Sequence, residues 1–198
     1  IMVSPTSKFP PQISFQYNSQ SGNGIAGFGW GIGGLSTITI SNKNLYYHNI
    51  VAPADANDSE AVFSLDGVPL VPNDDPALSD EYPLETAHGH ILVKTHMFGD
   101  KVRYFTVLYP DGSKATFGEK DDLSQQAVYP ITLWEDIFGN VIEYEYYSNS
   151  PNYRISDIRF KHKNNDEYEG SLSFEYSSRF DYLNTYFAGE YSTQDQLL

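Results

Sequence analysis

The stretch Tyr17–Leu35, YNSQSGNGIAGFGWGIGGL, sets the tightest limit on what this chain can fold into. Gly22, Gly24, Gly27, Gly29, Gly31, Gly33 and Gly34 lie within it, seven of the chain's fifteen glycines. Each glycine costs a helix interior roughly 1 kcal/mol, so no helix spans this segment. A strand-like ISFQY runs in and a β-branched STITI runs out. The spacing predicts a glycine-laced β turn or bulge, with Phe28, Trp30 and Leu35 packed underneath.

The same letters invite a phosphate-binding reading. Gly22, Gly24 and Gly27 spell G-x-G-x-x-G. In a dinucleotide fold that motif opens a helix whose N-terminus holds the pyrophosphate, and an acid about 20 residues on binds the ribose. Here FGWGIGGL follows, and the later position reads NKNLYYHN, with no Asp or Glu. Nucleotide binding is therefore set aside, and no cofactor is expected.

The 198 residues suffice for one large domain or two small ones. The organisation expected is a single all-β module over 1–198. Within it lie a Gly-rich segment (1–50), loop-rich hairpins (51–100) and a hairpin meander (101–190). With 12 Lys and Arg against 26 Asp and Glu, the formal charge of −14 argues against nucleic acid and anionic lipid, both of which need a basic footprint. No cysteine is present, which removes disulfides, thiol catalysis and zinc–thiolate sites. No apolar run is long enough for a membrane span. The opening IMVSPTSKFPP reads as the start of an excised or processed piece, so the lack of a visible signal peptide says little about export.

Hairpin signals recur along the chain. Val62–Leu65 and Val68–Val71 flank Asp66-Gly67, and Arg103–Tyr109 and Ser113–Phe117 flank Pro110-Asp111-Gly112. Ile131–Ile137 and Val141–Tyr147 flank Phe138-Gly139-Asn140, and a looser turn joins Ile155–His162 to Gly170–Tyr176. Alternation sets Ile142, Tyr144 and Tyr146 against Glu143 and Glu145, and Leu172, Phe174 and Tyr176 against Ser171, Ser173 and Glu175. Such a period marks a sheet with one dry and one wet face. The fold class expected is all-β: an antiparallel meander of about ten to twelve strands, as a curled sheet or sandwich, with a closed barrel left open. Val51–Glu60 and Pro72–Glu81 read as solvated loops, Leu123–Ala127 as one helical turn, and Ser192–Leu198 as frayed or helical.

Several of these blocks carry a resemblance. Gly22-Asn23-Gly24 followed by Gly27-Phe28-Gly29-Trp30 resembles the opening signature of the Salmonella virulence plasmid B protein family, which includes the N-terminal part of the B component of insecticidal toxin complexes. Ala61–Val71, Tyr109–Gly118, Tyr129–Tyr147 and Ser178–Gly189 resemble the family's later blocks in the same order. The segment running from Asp136 through Gly139 and Asn140 to Tyr144 and Tyr146 resembles one copy of the tyrosine–aspartate (YD) repeat of RHS proteins. The resemblance implies a non-catalytic, RHS-like β module, part of a shell or scaffold in a secreted or cell-surface protein. Its partners would be neighbouring domains of the same parent chain or other toxin-complex or surface proteins. In the Salmonella relative, ADP-ribosylation of actin belongs to a separate C-terminal domain.

The residues expected to matter are then architectural. Gly22, Asn23, Gly24, Gly27 and Gly29 hold the turn, with Trp30 as its core plug; Asp66-Gly67, Asp111-Gly112 and Gly139-Asn140 close hairpins. Other chemistry has weaker spelling. Glu143-Tyr144-Glu145 is the E-x-E of ADP-ribosyltransferases, but Ser36-Thr37-Ile38 breaks the Ser-Thr-Ser strand they need. His88 and His90, with His96 further on, could share a strand face, and Asp55, Asn57, Asp58 and Glu60 or Asn73, Asp74 and Asp75 could wrap a calcium ion. The first set lacks acid partners and the others lack the EF-hand pattern, so no metal is expected. No G-x-S-x-G offers a nucleophile elbow. Sixteen tyrosines suggest a different class of function, stacking of exposed rings on a glycan. That reading requires the rings to be coplanar, exposed and clustered.

Overall fold

The computed structural model describes residues 11–73, 75–86, 89–118, 127–147 and 153–198. His88, Asp74 and residues 123–126 of the expected helical turn lie outside them. In chain order the strands are β1 (Ser14–Tyr17), β2 (Asn23–Gly24), β3 (Gly27–Phe28), β4 (Trp30–Gly33), β5 (Thr37–Ser41), β6 (Val62–Leu65), β7 (Val68–Pro69), β8 (Glu81–Thr86), β9 (Gly89–Phe98) and β10 (Lys101–Leu108). They continue as β11 (Lys114–Phe117), β12 (Val128–Glu135), β13 (Asn140–Tyr147), β14 (Arg154–His162), β15 (Gly170–Ser173), β16 (Ser177–Phe187) and β17 (Glu190–Leu197). The expected all-β class holds. Helix is confined to α1 (Leu45–His48) and a single 3-10 turn at Pro76–Leu78 among the described residues. The strands outnumber the sequence-based count because several glycine-rich and turn-flanking pieces of two residues pair as short ladders.

The chain divides into two compact units. One holds Ser36–Ile137 and Phe187–Glu190. In it β8, β9, β10, β11 and β12 follow one another as antiparallel neighbours, and β5 pairs with both β12 and β6. The alternating residues of these strands meet in a dry core: Ile38, Val93, Phe105, Val107 and Phe117 are all fully buried. Three rings form its centre, Phe63 at 5.0 Å from Phe105 and Phe105 at 4.9 Å from Tyr129, all edge-on. The Tyr129 hydroxyl donates to the Val102 carbonyl at 3.0 Å, so this ring buries its apolar body without stranding its polar tip.

The predicted Asp66-Gly67 turn is present, with φ +49 and +82 at its two residues, the primed geometry that matches strand twist. Leu65 faces Val68 across it. The Asp66 carboxylate also accepts from the Thr37 amide (2.8 Å) and the Ser36 hydroxyl (2.5 Å), fastening the turn to the start of β5. At the next turn Asp111 accepts from both the amide and the hydroxyl of Ser113, which holds its carboxyl below the usual value, and Gly112 sits at φ +83. Tyr109, beside it, is pushed up to about 12 by burial and then by Asp66 and Asp111.

The other unit holds Ile1–Leu35, Phe138–Tyr186 and Tyr191–Leu198. Here β13, β14 and β15 form an antiparallel run, and the predicted alternation is visible in burial: Ile142 and Tyr144 are covered while Glu145 is exposed. Tyr144 faces Ile158 across the ladder, and burial raises Tyr146 well above the ordinary tyrosine value. Gly139 lies at φ +84 under the Lys163 side chain, but Asn140 is the first residue of β13, opposite His162, not part of the turn. Asp136 precedes that turn and is half-buried. The expectation for Ser192–Leu198 is corrected: residues 192–197 belong to strand β17, paired with β16, with Ser192 buried. Cross-strand pairing overrides the weak local preference of STQDQLL.

Candidate functional site

The glycine-rich segment forms a hairpin within a hairpin. Strands β1 and β4 pair from Ser14 opposite Gly33 to Tyr17 opposite Trp30. The Asn18 amide then donates to the Gly29 carbonyl (2.9 Å) and the Gly29 amide to the Gly22 carbonyl (3.0 Å), carrying the ladder inward to β2 and β3. There Asn23 faces Phe28 and Gly24 faces Gly27. A Cβ on Gly24 would lie 2.6 Å from the Trp30 carbonyl oxygen, and two further glycines are fixed by backbone angle as well as by contact. Gly29 has φ +76, and a Cβ there would lie 2.7 Å from the Tyr17 ring. Gly34 has φ +93, and its Cβ would lie 1.8 Å from the Gln12 carbonyl oxygen. Both combine a left-handed backbone with a contact no side chain can share. Gly27 has φ +103 in open space, and Gly22 has neither constraint.

The plug is not where the sequence placed it. Trp30 is 45 % exposed and Phe28 68 %, so neither packs beneath the turn, and Leu35 is only half-buried. With so little side-chain volume around it, Trp30 meets Tyr17 across the two-stranded ladder at a tilt of 51°, ring centroids 5.2 Å apart. Trp30→Ala is accordingly expected to cost about 1 kcal/mol, well short of the roughly 3–5 kcal/mol of a buried tryptophan. Chemical denaturation measures it, and a loss above about 3 kcal/mol would contradict the exposed placement.

The segment is anchored by residues more than 150 positions away that the sequence does not single out: the Leu198 amide donates to the Ile25 carbonyl at 2.9 Å, and Arg179 and Asp181 form a clasp. Arg179 Nη1 donates to the Gly24 carbonyl at 3.0 Å. Its Nε and Nη2 grip both oxygens of Asp181, at 3.0 and 2.8 Å. Asn23 Nδ2 donates to Asp181 Oδ2 at 2.5 Å. The Arg179 side chain is 2 % exposed, while Asp181 stays largely in solvent. Arg179 first, then Asn23, holds the Asp181 carboxyl far below its ordinary value. Residues 179 and 181 share one face of β16 because the strand period is two. The clasp thus joins the SGNG block to the SRFD block. The only local hint of it is an Arg and an Asp at i and i+2, a spacing that shares one face if the segment is a strand.

The remaining candidates disperse. Glu143 accepts from the Tyr168 hydroxyl (2.6 Å) and Glu145 from Arg159 (2.7 Å), so the E-x-E carboxylates belong to a surface network of charges. Asp55 and Asp58 cap the amides of Asn57 and Glu60, and Asp58 pairs with Lys43 at 2.7 Å. Asn73 and Asp75 cap the amides of Asp75 and Ala77. His90 is exposed, whereas His96 stacks flat on Tyr104 at 4.1 Å and bonds Thr106. Among the described residues no group of three or more His, Cys, Asp or Glu side chains converges to hold a metal ion. Tyrosine pairs are tilted or edge-on, at 89° for Tyr46–Tyr47, 84° for Tyr147–Tyr176 and 50° for Tyr186–Tyr191, unlike a coplanar sugar platform. Among the described residues no helix is long and apolar enough to cross a membrane.

Comparison with known proteins follows the same blocks. The family described as Salmonella virulence plasmid 65kDa B protein matches residues 1–62. No curated protein sequence matches the chain. Among solved structures, the N-terminal domain of effector protein SpvB from Salmonella typhimurium strain LT2 superposes with TM-score 0.70 at 13 % identity, over 98 % of this chain and 82 % of that one. TcdB2-TccC3 superposes with TM-score 0.68 at 14 % identity, over 96 % of this chain and 12 % of that one. The Photorhabdus luminescens Tc holotoxin pore gives TM-score 0.63 at 14 % identity, over 93 % and 12 %. The chain therefore spans about an eighth of the toxin-complex chains it resembles. Over residues 1–62 the sequence is similar to the Salmonella virulence plasmid 65kDa B protein family, and over nearly its whole length the chain shares the fold of the SpvB N-terminal domain and of a stretch of TcdB2-TccC3.

Proposed function

We propose that this chain is a non-catalytic structural and interaction module of a large exported toxin-complex-like protein. It forms part of a β shell or scaffold and contacts neighbouring domains of its parent chain or other toxin-complex or surface proteins. The observation that carries this reading is the clasp. The Asn23 amide group and the Gly24 carbonyl, the polar groups of the signature, are turned onto Arg179 and Asp181 of the same chain, not onto a ligand. The similarity to a 12 % stretch of TcdB2-TccC3 supports it, since a domain of that share functions beside others. Exposed rings support it as well: Phe15, Phe28, Phe180 and Tyr186 offer apolar surface for such neighbours. Within the same proposal, Asp136–Tyr146 is one YD-type repeat, and the protein works outside the cell.

Arg179→Ala tests it. The variant is expected to melt at a lower temperature, because it frees the Gly24 carbonyl and removes the guanidinium that orients Asp181 towards Asn23. It should also change the acid limb. The Asp181 value is depressed in the folded state, so its contribution is present above the ordinary 3.8 and is lost as pH falls below that. The variant lacks that contribution, so its stability should depend less on pH in that window. An unchanged melting curve together with loss of a ligand interaction would make the signature a binding site and sink the scaffold reading.

A further inference from the structure

One concavity is not accounted for by the clasp or by the resemblance. A cleft of about 390 Å³ opens within the unit that holds β5 to β12. Its floor is apolar: Ile40, Phe63, Leu70 and Tyr129 line it, all buried beneath the surface. Met97, 52 % exposed, and Tyr82 also line it. Met is unbranched and polarizable, a side chain that adapts to varied apolar partners. The volume lies in the range of pockets that take a ligand group.

Its rim carries an excess of negative charge. Asp58, Glu60, Asp80 and Asp100 line the opening, against Lys101. Lys43 neutralises Asp58 at 2.7 Å and reaches Glu60 only at 4.0 Å. Asp80 and Asp100 are exposed, and Asp80 is close enough to raise Tyr82 above the ordinary tyrosine value, a smaller cause than burial. The loops read from sequence as solvated acidic connections are therefore the walls of an apolar cleft. Beside it β8 ends its meander: among the described residues the strand that carries Tyr82 pairs with β9 alone, and its other backbone edge has no strand partner among them. A free edge next to side-chain pockets is the arrangement by which extended peptides dock.

The geometry points to this cleft as a docking site for an extended peptide segment of a partner protein, one that carries an apolar side chain flanked by Lys or Arg. The apolar side chain enters over Phe63, Leu70 and Tyr129, and the flanking cations meet Asp80, Asp100 and Glu60. An acidic segment is repelled by the same rim, so charge sets the choice of partner while apolar burial holds it. The inference is independent of the scaffold reading, because the cleft shares no residue with Asn23, Gly24, Arg179 or Asp181.

The test is fluorescence polarisation of the purified 198-residue chain with two labelled peptides, acetyl-Leu-Lys-Phe-Arg-Leu-amide and its counterpart with Glu in place of Lys and Arg. The basic peptide is expected to bind about tenfold or more tightly than the acidic one, and Asp80→Asn/Asp100→Asn to weaken it about tenfold. Met97→Ala should weaken it as well, with an unchanged melting curve. A charge-matched control, Asp166→Asn/Glu167→Gln, alters an exposed turn far from the lining residues in sequence and should leave affinity unchanged. Equal binding of the two peptides overturns the proposal, as does no binding of the basic one. Equal weakening by the control pair also overturns it, since attraction would then follow the overall charge of −14 and not the cleft.

Discussion

Phe105→Ala is expected to lower the stability of the unit built on β8 to β12 by about 3–5 kcal/mol. Phe105 is fully buried, and its ring meets Phe63 and Tyr129 edge-on at 5.0 and 4.9 Å. It also sits mid-strand, opposite Phe117 on one side and Thr95 on the other, where the flanking ladders stop the backbone from collapsing into the hole. The loss is therefore the transfer of a phenyl ring plus an unrelaxed cavity. Since the chain has two compact units, the measurement should follow a probe local to this one, such as amide exchange of β9 to β11, during denaturant unfolding. A loss below about 1 kcal/mol would mean that the three rings are not the centre of this core.

Gly34→Ala is the second large effect, expected at about 2–4 kcal/mol for the other unit. Two causes add. The residue has φ +93, where any side chain is strained, and the new Cβ would lie 1.8 Å from the Gln12 carbonyl oxygen. That oxygen is backbone, so no rotamer change clears the overlap; the chain before β1 has to move, and the pairing of Ser14 with Gly33 moves with it. Gly27→Ala provides the contrast. It shares the positive φ, at +103, but nothing lies within 4 Å, so it should cost about 1 kcal/mol from backbone strain alone. Equal losses in the two variants would remove steric contact from the account.

What the sequence revealed was whatever local chemistry decides. Asp66-Gly67 and Asp111-Gly112 announce their turns because positive φ is cheap only for a few residue types, and both turns are present. The alternation of Ile142, Tyr144 and Tyr146 announces its face because the strand period is two. The misreadings share a cause as well. A large aromatic such as Trp30 predicts a covered plug, but a hairpin made mainly of glycine has too little bulk to cover it. Ser192–Leu198 lacks β-branched residues apart from Thr193, and only its pairing with β16 makes it a strand. The clasp was illegible because Asn23 and Asp181 are 158 positions apart, and no local rule links them.

The clasp also gives the molecule a clock. Asn23 is followed by Gly24, the pairing in which a side-chain amide is most readily attacked by the next backbone nitrogen and lost as ammonia. Water then opens the succinimide so formed to Asp or isoAsp, putting a carboxylate in place of the amide donor that faces Asp181 Oδ2 across 2.5 Å. An anchoring hydrogen bond would become a repulsion between like charges. While Arg179 and Asp181 hold Asn23 in its extended strand, the attack geometry is denied, so folding itself slows the ageing. Aged samples should therefore show Asp or isoAsp at position 23 by peptide mass mapping, in Arg179→Ala before the parent chain; equal rates in the two would remove the clasp from the explanation.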